Sequence, residues 1–175
     1  GVARDLAAYF RSTYTLPSVE DVTEGSTVDT IVHVHDTAAC PRYSGVNIKG
    51  VKVGESPEWL KEKLNTIGIR SINNIVDITN YILHDLGQPL HAFDAAKIAG
   101  NTVNVRLANE GETFVTLDGV ERKLSAEDLV IADAEKAMCI AGVFGGEYSG
   151  VTDATIDIFL ESAYFNSVSV RKTSK

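Results

Sequence analysis

A chain of 175 residues with 44% hydrophobic side chains can bury a substantial core, enough for one domain or two closely merged subdomains. Its formal net charge of −8 excludes a free-standing binder of nucleic-acid backbone, because such binding draws on Lys and Arg that neutralise phosphates. Any RNA partner must then be held mainly by something else. Cys40 and Cys139 lie far apart and lack a Cys-x-x-Cys spacing, which argues for two buried, reduced thiols in a cytoplasmic protein rather than a disulfide or zinc framework.

No apolar run approaches the length of a membrane span. The start at Gly1 and the end on RKTSK read as those of a piece of a longer protein. Ala3 to Phe10 has the composition of a short amphipathic helix, and Thr13 to Gly25 reads as a linker. Residues 1–28 are thus assigned to a helix and linker from a preceding domain, and residues 29–175 to the main domain.

Asp29 to Asp36 sets Ile31, His33 and His35 against Thr30, Val32 and Val34, which is strand periodicity. His33 and His35, with Cys40 nearby, have metal-ligand chemistry, but no second cluster completes a tetrahedral set and strand alternation explains them as well. Tyr43 to Val53 alternates again and is expected to pair with that strand across a turn at Cys40 to Tyr43. Ser56-Pro57-Glu58 has the make-up of a helix start with Ser56 as N-cap. Trp59, Leu60, Leu64 and Ile67 then give a short helix that stops at Gly68.

The central stretch is Arg70 to Asp94. Ile75, Ile78, Ile82, Leu83 and Leu86 follow one helical face, and Gly87 with Pro89 supplies the stop, so a helix of roughly four turns is expected to be buried along one side. Asn73, Asp77, Asn80 and His84 fall on a neighbouring stripe that a solvated face would explain, while Thr79 lies within the apolar face. His91 interrupts the short apolar run after the stop; such a histidine is more often a satisfied core or turn residue than a catalytic one.

Beyond this helix the pattern is mostly β. Thr102 to Leu107 and Thr113 to Leu117 read as strands, and Asp118-Gly119 marks a hairpin into Val120 to Leu124. Ser125 to Asp128 fits a capped turn, and Leu129 to Ala132 and Ala137 to Val143 fit buried strands. Ala141 to Gly150 carries Gly142, Gly145, Gly146 and Gly150 without matching a phosphate-binding loop. Two readings stay open for it: a bulged strand end, or a backbone wall against a ligand. Thr155 to Leu160 is read as the last strand, delivering Glu161 at its end either to water or to a pocket as an acceptor. Asn166 or Ser167 caps a closing helix. Neither a Ser-His-Asp order nor a supported Cys-His pair is visible, which disfavours a protein nucleophile. These patterns alone define an α+β (mixed α/β) domain with a central buried helix and a possible pocket.

INNIVDITNYILHDLGQPLHAFD, VTLDG, AGVFGG and LESAYF, in that order, resemble the editing module of the bacterial phenylalanyl-tRNA synthetase beta subunit, its combined third-and-fourth domain. ACPRYSG, VKVGESPEWL and VRKTSK extend the likeness over nearly all of the chain after about Asp29. The resemblance implies a three-layer arrangement containing a β-sandwich of unusual topology. It implies hydrolysis of tyrosine wrongly esterified to the phenylalanine tRNA, with the synthetase alpha subunit as a further partner in a heterotetramer. No cofactor is implied in this part, ATP and magnesium being expected only at the synthetic site. By position, Glu161 is similar to the family's tyrosine-recognising glutamate, Thr79 and Asn80 to its pocket Thr-Asn pair, His91 to its His after Gln-Pro, and Ala141 and Gly142 to its Ala-Gly wall.

The physics of that task suits these residue types. An active site shaped for Phe rejects Tyr by only about 10²-fold in comparable cases, whereas a second site that hydrogen-bonds the extra hydroxyl reaches roughly 10⁴-fold or more, because Phe leaves its acceptor unpaired. Glu161 is the acceptor expected there. His91 and Asn80 are expected to orient the water or the terminal ribose, with the Gly142 N–H toward the carbonyl oxygen. Whether His91 or a ribose hydroxyl activates the water stays open, as do a purely structural, tRNA-positioning module and a stand-alone editing protein acting in trans.

Overall fold

The computed structural model describes residues 1–20, 25 and 29–175, so the expected linker lies partly outside the described residues. In chain order the elements are α1 (Val2–Phe10), β1 (Ile31–Val34), β2 (Arg42–Ile48), α2 (Glu58–Thr66), α3 (Asn74–Leu86) and β3 (His91–Asp94). After two 3-10 turns over residues 95–101 come β4 (Thr102–Leu107), β5 (Thr113–Val115), β6 (Glu121–Lys123), β7 (Leu129–Ala132), β8 (Ala137–Ile140), β9 (Phe144–Gly145), β10 (Ile158–Tyr164) and α4 (Ser167–Thr173). None of the described helices is long and apolar enough to cross a membrane.

Alternation along the strands decides which faces meet. Val105 of β4, Ile131 of β7 and Cys139 of β8 stand in one row through the registers Val105↔Ile131 and Ile131↔Cys139. Phe159 of β10 stands opposite Phe93 of β3 in another sheet. All of these belong to one buried cluster with Val103 and Leu129, and Val32, Val34, Tyr43 and Phe165 pack against it. The sheet β1-β4-β7-β8-β9 therefore packs on the sheet β2-β10-β3 as a β-sandwich. Val130 and Ile140 point the other way and bury Phe114 and Leu124, which brings the β5-β6 hairpin on as a third layer. Each such fully buried aliphatic or phenyl side chain contributes about 1.5–3 kcal/mol. The class is mixed α+β, as the sequence implies.

One pairing and the bounds of one strand differ from expectation. Tyr43 to Val53 does not pair with β1: β1 runs parallel to β4, and β2 pairs antiparallel with β10. The chain leaves the first sheet at Asp36, whose Oδ1 accepts from the N–H groups of Ala38 and Ala39 at 3.0 and 2.9 Å, and the turn delivers β2 to the second sheet. The last strand is Ile158–Tyr164, not Thr155 to Leu160, and Glu161 is its middle residue. Thr155 and Asp157 are used by the preceding loop, where Thr155 Oγ1 donates to Asp94 Oδ2 at 2.7 Å and Asp157 Oδ1 accepts from the Gly50 N–H at 2.8 Å.

The helix α3 is capped as a helix should be. Asn73 Oδ1 accepts from the Val76 N–H at 3.0 Å, and Gly87 closes it at φ 77°. It is not a central buried helix, however. Asp77 is its fully buried side chain, while Ile78 and Leu86 are 48% and 56% exposed. It packs beside α2, whose Leu60 and Leu64 supply the buried contacts, rather than between the sheets. Ser56 is not the N-cap of α2; Pro57 holds that position, and the Ser56 hydroxyl donates to Asp77 Oδ2. Ser71 Oγ and the Ile72 N–H donate to the same carboxylate. Burial works to raise the Asp77 carboxyl, yet these donors outweigh it and hold it below its usual range.

Candidate functional site

β10 has β2 on one side and β3 on the other, so a residue in its middle is shielded from both flanks. Glu161 holds that place, opposite Gly45 on β2 and His91 on β3, and is only 6% exposed. Opposed residues share a face with Cβ atoms about 4.5–5.5 Å apart, so the carboxylate and the imidazole emerge side by side. Tyr43 Oη donates to Glu161 Oε2 at 3.3 Å. Burial pushes the Glu161 carboxyl up to about 8, with the Tyr43 hydroxyl pulling weakly the other way.

His91 Nε2 is buried without a hydrogen-bond partner among the described residues. Its ring stands edge-on to Phe93 with centroids 4.4 Å apart, and burial pushes it down to about 4. The imidazole is therefore neutral at neutral pH. With the proton on Nδ1, Nε2 is a free acceptor able to orient a water molecule or take a proton from it.

The glycine loop is both the β8-β9 turn and a wall. Gly142 has φ 69°, and a Cβ there would lie 3.0 Å from Val170 Cγ2 and 3.3 Å from Phe165 Cδ2. A Cβ on Gly145 would lie 3.1 Å from His91 Cε1. Backbone thus approaches the imidazole on one side and α4 on the other. Between them opens a cavity of about 720 Å³ lined by Gln88, His91, Cys139, Gly142, Glu161, Phe165 and Arg171 among others. That size suits a small ligand or the end of a larger one.

The structure thus brings His91, Gly142 and Glu161 together. Ala141 lies behind the wall, 2% exposed and in the core cluster, with its N–H bonded to Leu129 O at 2.9 Å. Thr79 and Asn80 do not line the cavity; both are half-buried on α3, and Thr79 Oγ1 donates back to Val76 O at 2.7 Å. Tyr43, Cys139 and Arg171 escape sequence reasoning. Alternation marks Tyr43 as one face of a strand, but the register that sets it beside Glu161 is not written locally.

Other chemistry is weaker. The Cys40 thiol is pushed up to about 11 by burial and by Glu161, and Cys139 well above its usual range for the same reasons, so neither is a thiolate nucleophile at neutral pH. Both are free and buried. The rings of His33 and His35 are 6.1 Å apart, and His35 Nε2 lies 3.0 Å from Asn104 Oδ1. Among the described residues no group of three or more His, Cys, Asp or Glu side chains is arranged to hold a metal. A second cavity of about 400 Å³ is lined by Lys97, Phe114, Asp133, Lys136 and Met138, but Asp133 is occupied by the N–H groups of Ala99, Glu135 and Lys136.

Fold and site together define a mixed α+β domain that presents a buried carboxylate and a neutral imidazole to one ligand-sized cavity. Residues 39–175 match the B3/4 domain, and the chain belongs to that family. It is 59% identical over 181 residues to the phenylalanine–tRNA ligase beta subunit of Bacteroides fragilis and 57% identical over 181 residues to that of Porphyromonas gingivalis. Each match takes in 100% of this chain and 22% of the relative, so the chain spans about a fifth of the length of these curated relatives. An N-terminal fragment of the phenylalanyl-tRNA synthetase beta-subunit from Pyrococcus horikoshii shares the fold, with TM-score 0.58 and 17% identity over 97% of this chain and 52% of that one. The likeness read from the motifs is therefore to the right family.

Proposed function

We propose that this domain is the post-transfer editing domain of a phenylalanyl-tRNA synthetase beta subunit, hydrolysing the ester of Tyr mischarged onto the phenylalanine tRNA. The observation that carries the reading is the pairing of buried Glu161 with unpartnered His91 on one cavity wall. In this reading Glu161 accepts the phenol hydroxyl, and Phe would leave that acceptor buried and unpaired. Neutral His91 positions the attacking water through Nε2, and the Gly142 N–H donates to the oxygen that becomes negative. Ala141 fixes Gly142 from behind. Thr79 and Asn80, which lie outside the cavity, are assigned to the terminal ribose of the charged tRNA rather than to the tyrosyl group.

The net charge of −8 fits a domain to which the tRNA is delivered by the rest of a cytoplasmic synthetase, including its alpha subunit. The hydrolysis needs no cofactor here; ATP and magnesium belong to the synthetic site. The test is release of labelled Tyr from mischarged tRNA by the complete synthetase, with and without Glu161→Ala, His91→Ala and Asn80→Ala. Loss of release in the variants supports editing. Unchanged release in all three favours the second reading, a structural and tRNA-positioning module, for which the placement of Thr79 and Asn80 outside the cavity speaks.

A further inference from the structure

Tyr43 is the one side chain that reaches the Glu161 carboxylate among the described residues. It stands on β2 opposite Ala163, one same-face position from the Gly45↔Glu161 pair, and leans diagonally across to Oε2. Its ring packs against the main core cluster, a task that a Phe would serve equally well. The hydroxyl adds a desolvation cost that only its bond to Glu161 offsets. At 3.3 Å that bond is long for a hydroxyl and a carboxylate, and a carboxylate has about four lone-pair sites, so the acceptor retains capacity.

We propose that Tyr43 is a positioning residue that sets the specificity of this site: from β2 its phenol holds Oε2 of Glu161, leaving Oε1 to accept one further phenol, that of the ligand. The inference rests on the reading of the cavity as a tyrosyl-ester site. The protein's own phenol and the ligand's then share one carboxylate, and each donor favours its charged form. The other titratable groups around Glu161 among the described residues are His91 on β3, Cys40 before β2 and Cys139 on β8, with Tyr164 at the end of β10 and Arg171 of α4 at the cavity. Burial holds the imidazole and both thiols neutral at pH 7, so Tyr43 is the group that tunes the carboxylate from inside. Selectivity for Tyr is present above the pKa of Glu161 and fades below it, and removing the Tyr43 donor moves that pKa upward.

The experiment measures deacylation of Tyr-tRNA and Phe-tRNA across pH by the complete synthetase carrying Tyr43→Phe, Tyr43→Leu or Glu161→Gln. Tyr43→Phe removes one hydrogen bond to the charged form of Glu161, so it is expected to move the pH at which the Tyr/Phe ratio rises upward by about one unit and to lower the ratio by up to about tenfold on the rising part of the curve. Tyr43→Leu removes the same donor by a different shape and has to move that pH in the same direction. If Glu161→Gln abolishes selectivity while both Tyr43 variants keep the wild-type midpoint, this inference fails and the editing reading stands. A ratio that drops with an unmoved midpoint marks a packing effect and equally overturns it. Wild-type enzyme without Tyr selectivity, or Glu161→Gln with full selectivity, removes both.

Discussion

Glu161 and His91 stand directly opposite each other on β10 and β3, and burial drives each toward its uncharged form. The carboxyl titrates near 8 instead of 4.5 and the imidazole near 4 instead of 6.5. Between 4.5 and 6.5 the folded chain holds a proton on Glu161 that the unfolded chain lacks, and lacks one on His91 that the unfolded chain holds. The two contributions cancel there. From 6.5 to 8 the carboxyl alone counts, and stability falls as pH rises because the folded state binds more protons. Glu161→Gln is expected to abolish a decline of at most about 2 kcal/mol over that window, read as the difference between wild-type and variant unfolding free energies. Parallel pH curves for the two chains would contradict it.

Substituting the same glutamate should also erase the distinction between Tyr and Phe esters. Glu161→Ala is expected to reduce the ratio of the two deacylation rates by about 10²-fold or more, since the acceptor supplies the discrimination. Equal ratios in wild type and variant would sink that role.

His91→Ala is expected to act on rate rather than choice. The loss should be about 10²-fold for Tyr-tRNA with the Tyr/Phe ratio retained, as for a group that places or deprotonates water. Because His91 is neutral down to about pH 4, wild-type hydrolysis has no acid limb near 6.5 attributable to this group. A rate that halves at pH 6.5 in wild type and not in the variant would show a normal histidine instead.

Gly45 is tied to the site by space. A Cβ on it would lie 2.1 Å from Phe159 Cζ and 2.6 Å from Cε2, a core ring with no room to retreat. Gly45→Ala is expected to cost about 1–3 kcal/mol in denaturant unfolding, by forcing Phe159 off its place two residues before Glu161. An unchanged midpoint would mean that β2 yields there at no cost.

Asp77 ties α3 to the segments that carry Ser56 and Ser71. Asp77→Ala orphans two hydroxyls and the Ile72 N–H, and the expected loss is about 2–4 kcal/mol. Its carboxyl titrates below its usual range, so this contribution is present above the normal Asp pKa and disappears as pH drops through the lower, folded value. Faster amide exchange at Ile72 and in the first turn of α3, with the sandwich still protected, is the expected signature.

Much of the architecture is legible locally. The bounds of β4, the Asp118-Gly119 hairpin, the glycine stop of α3 and the Asn166 cap of α4 all follow from period and capping chemistry, which act over a few residues. What escapes is set by pairing at long range. Asp77 shares a stripe with exposed His84, and nothing nearby announces that two serines will close over it. Glu161 looks terminal because Ile156 continues the alternation, yet Ile156 is 66% exposed and the ladder begins two residues later. Of the site, the motif resemblance marks His91, Gly142 and Glu161, and only the β2-β10 register adds Tyr43.

The position of β10 at the middle of its sheet has a consequence for how the chain acquires its form. Tyr43 and Glu161 are 118 positions apart, and β2 and β3 share no ladder except through β10. During synthesis both strands emerge before β10 and wait with open edges until it arrives. Closing such loops is slow, and unpaired edges invite association with other chains. Ending the chain before Ile158 removes one strand and thereby dissolves the entire three-stranded sheet, along with the cavity wall it carries.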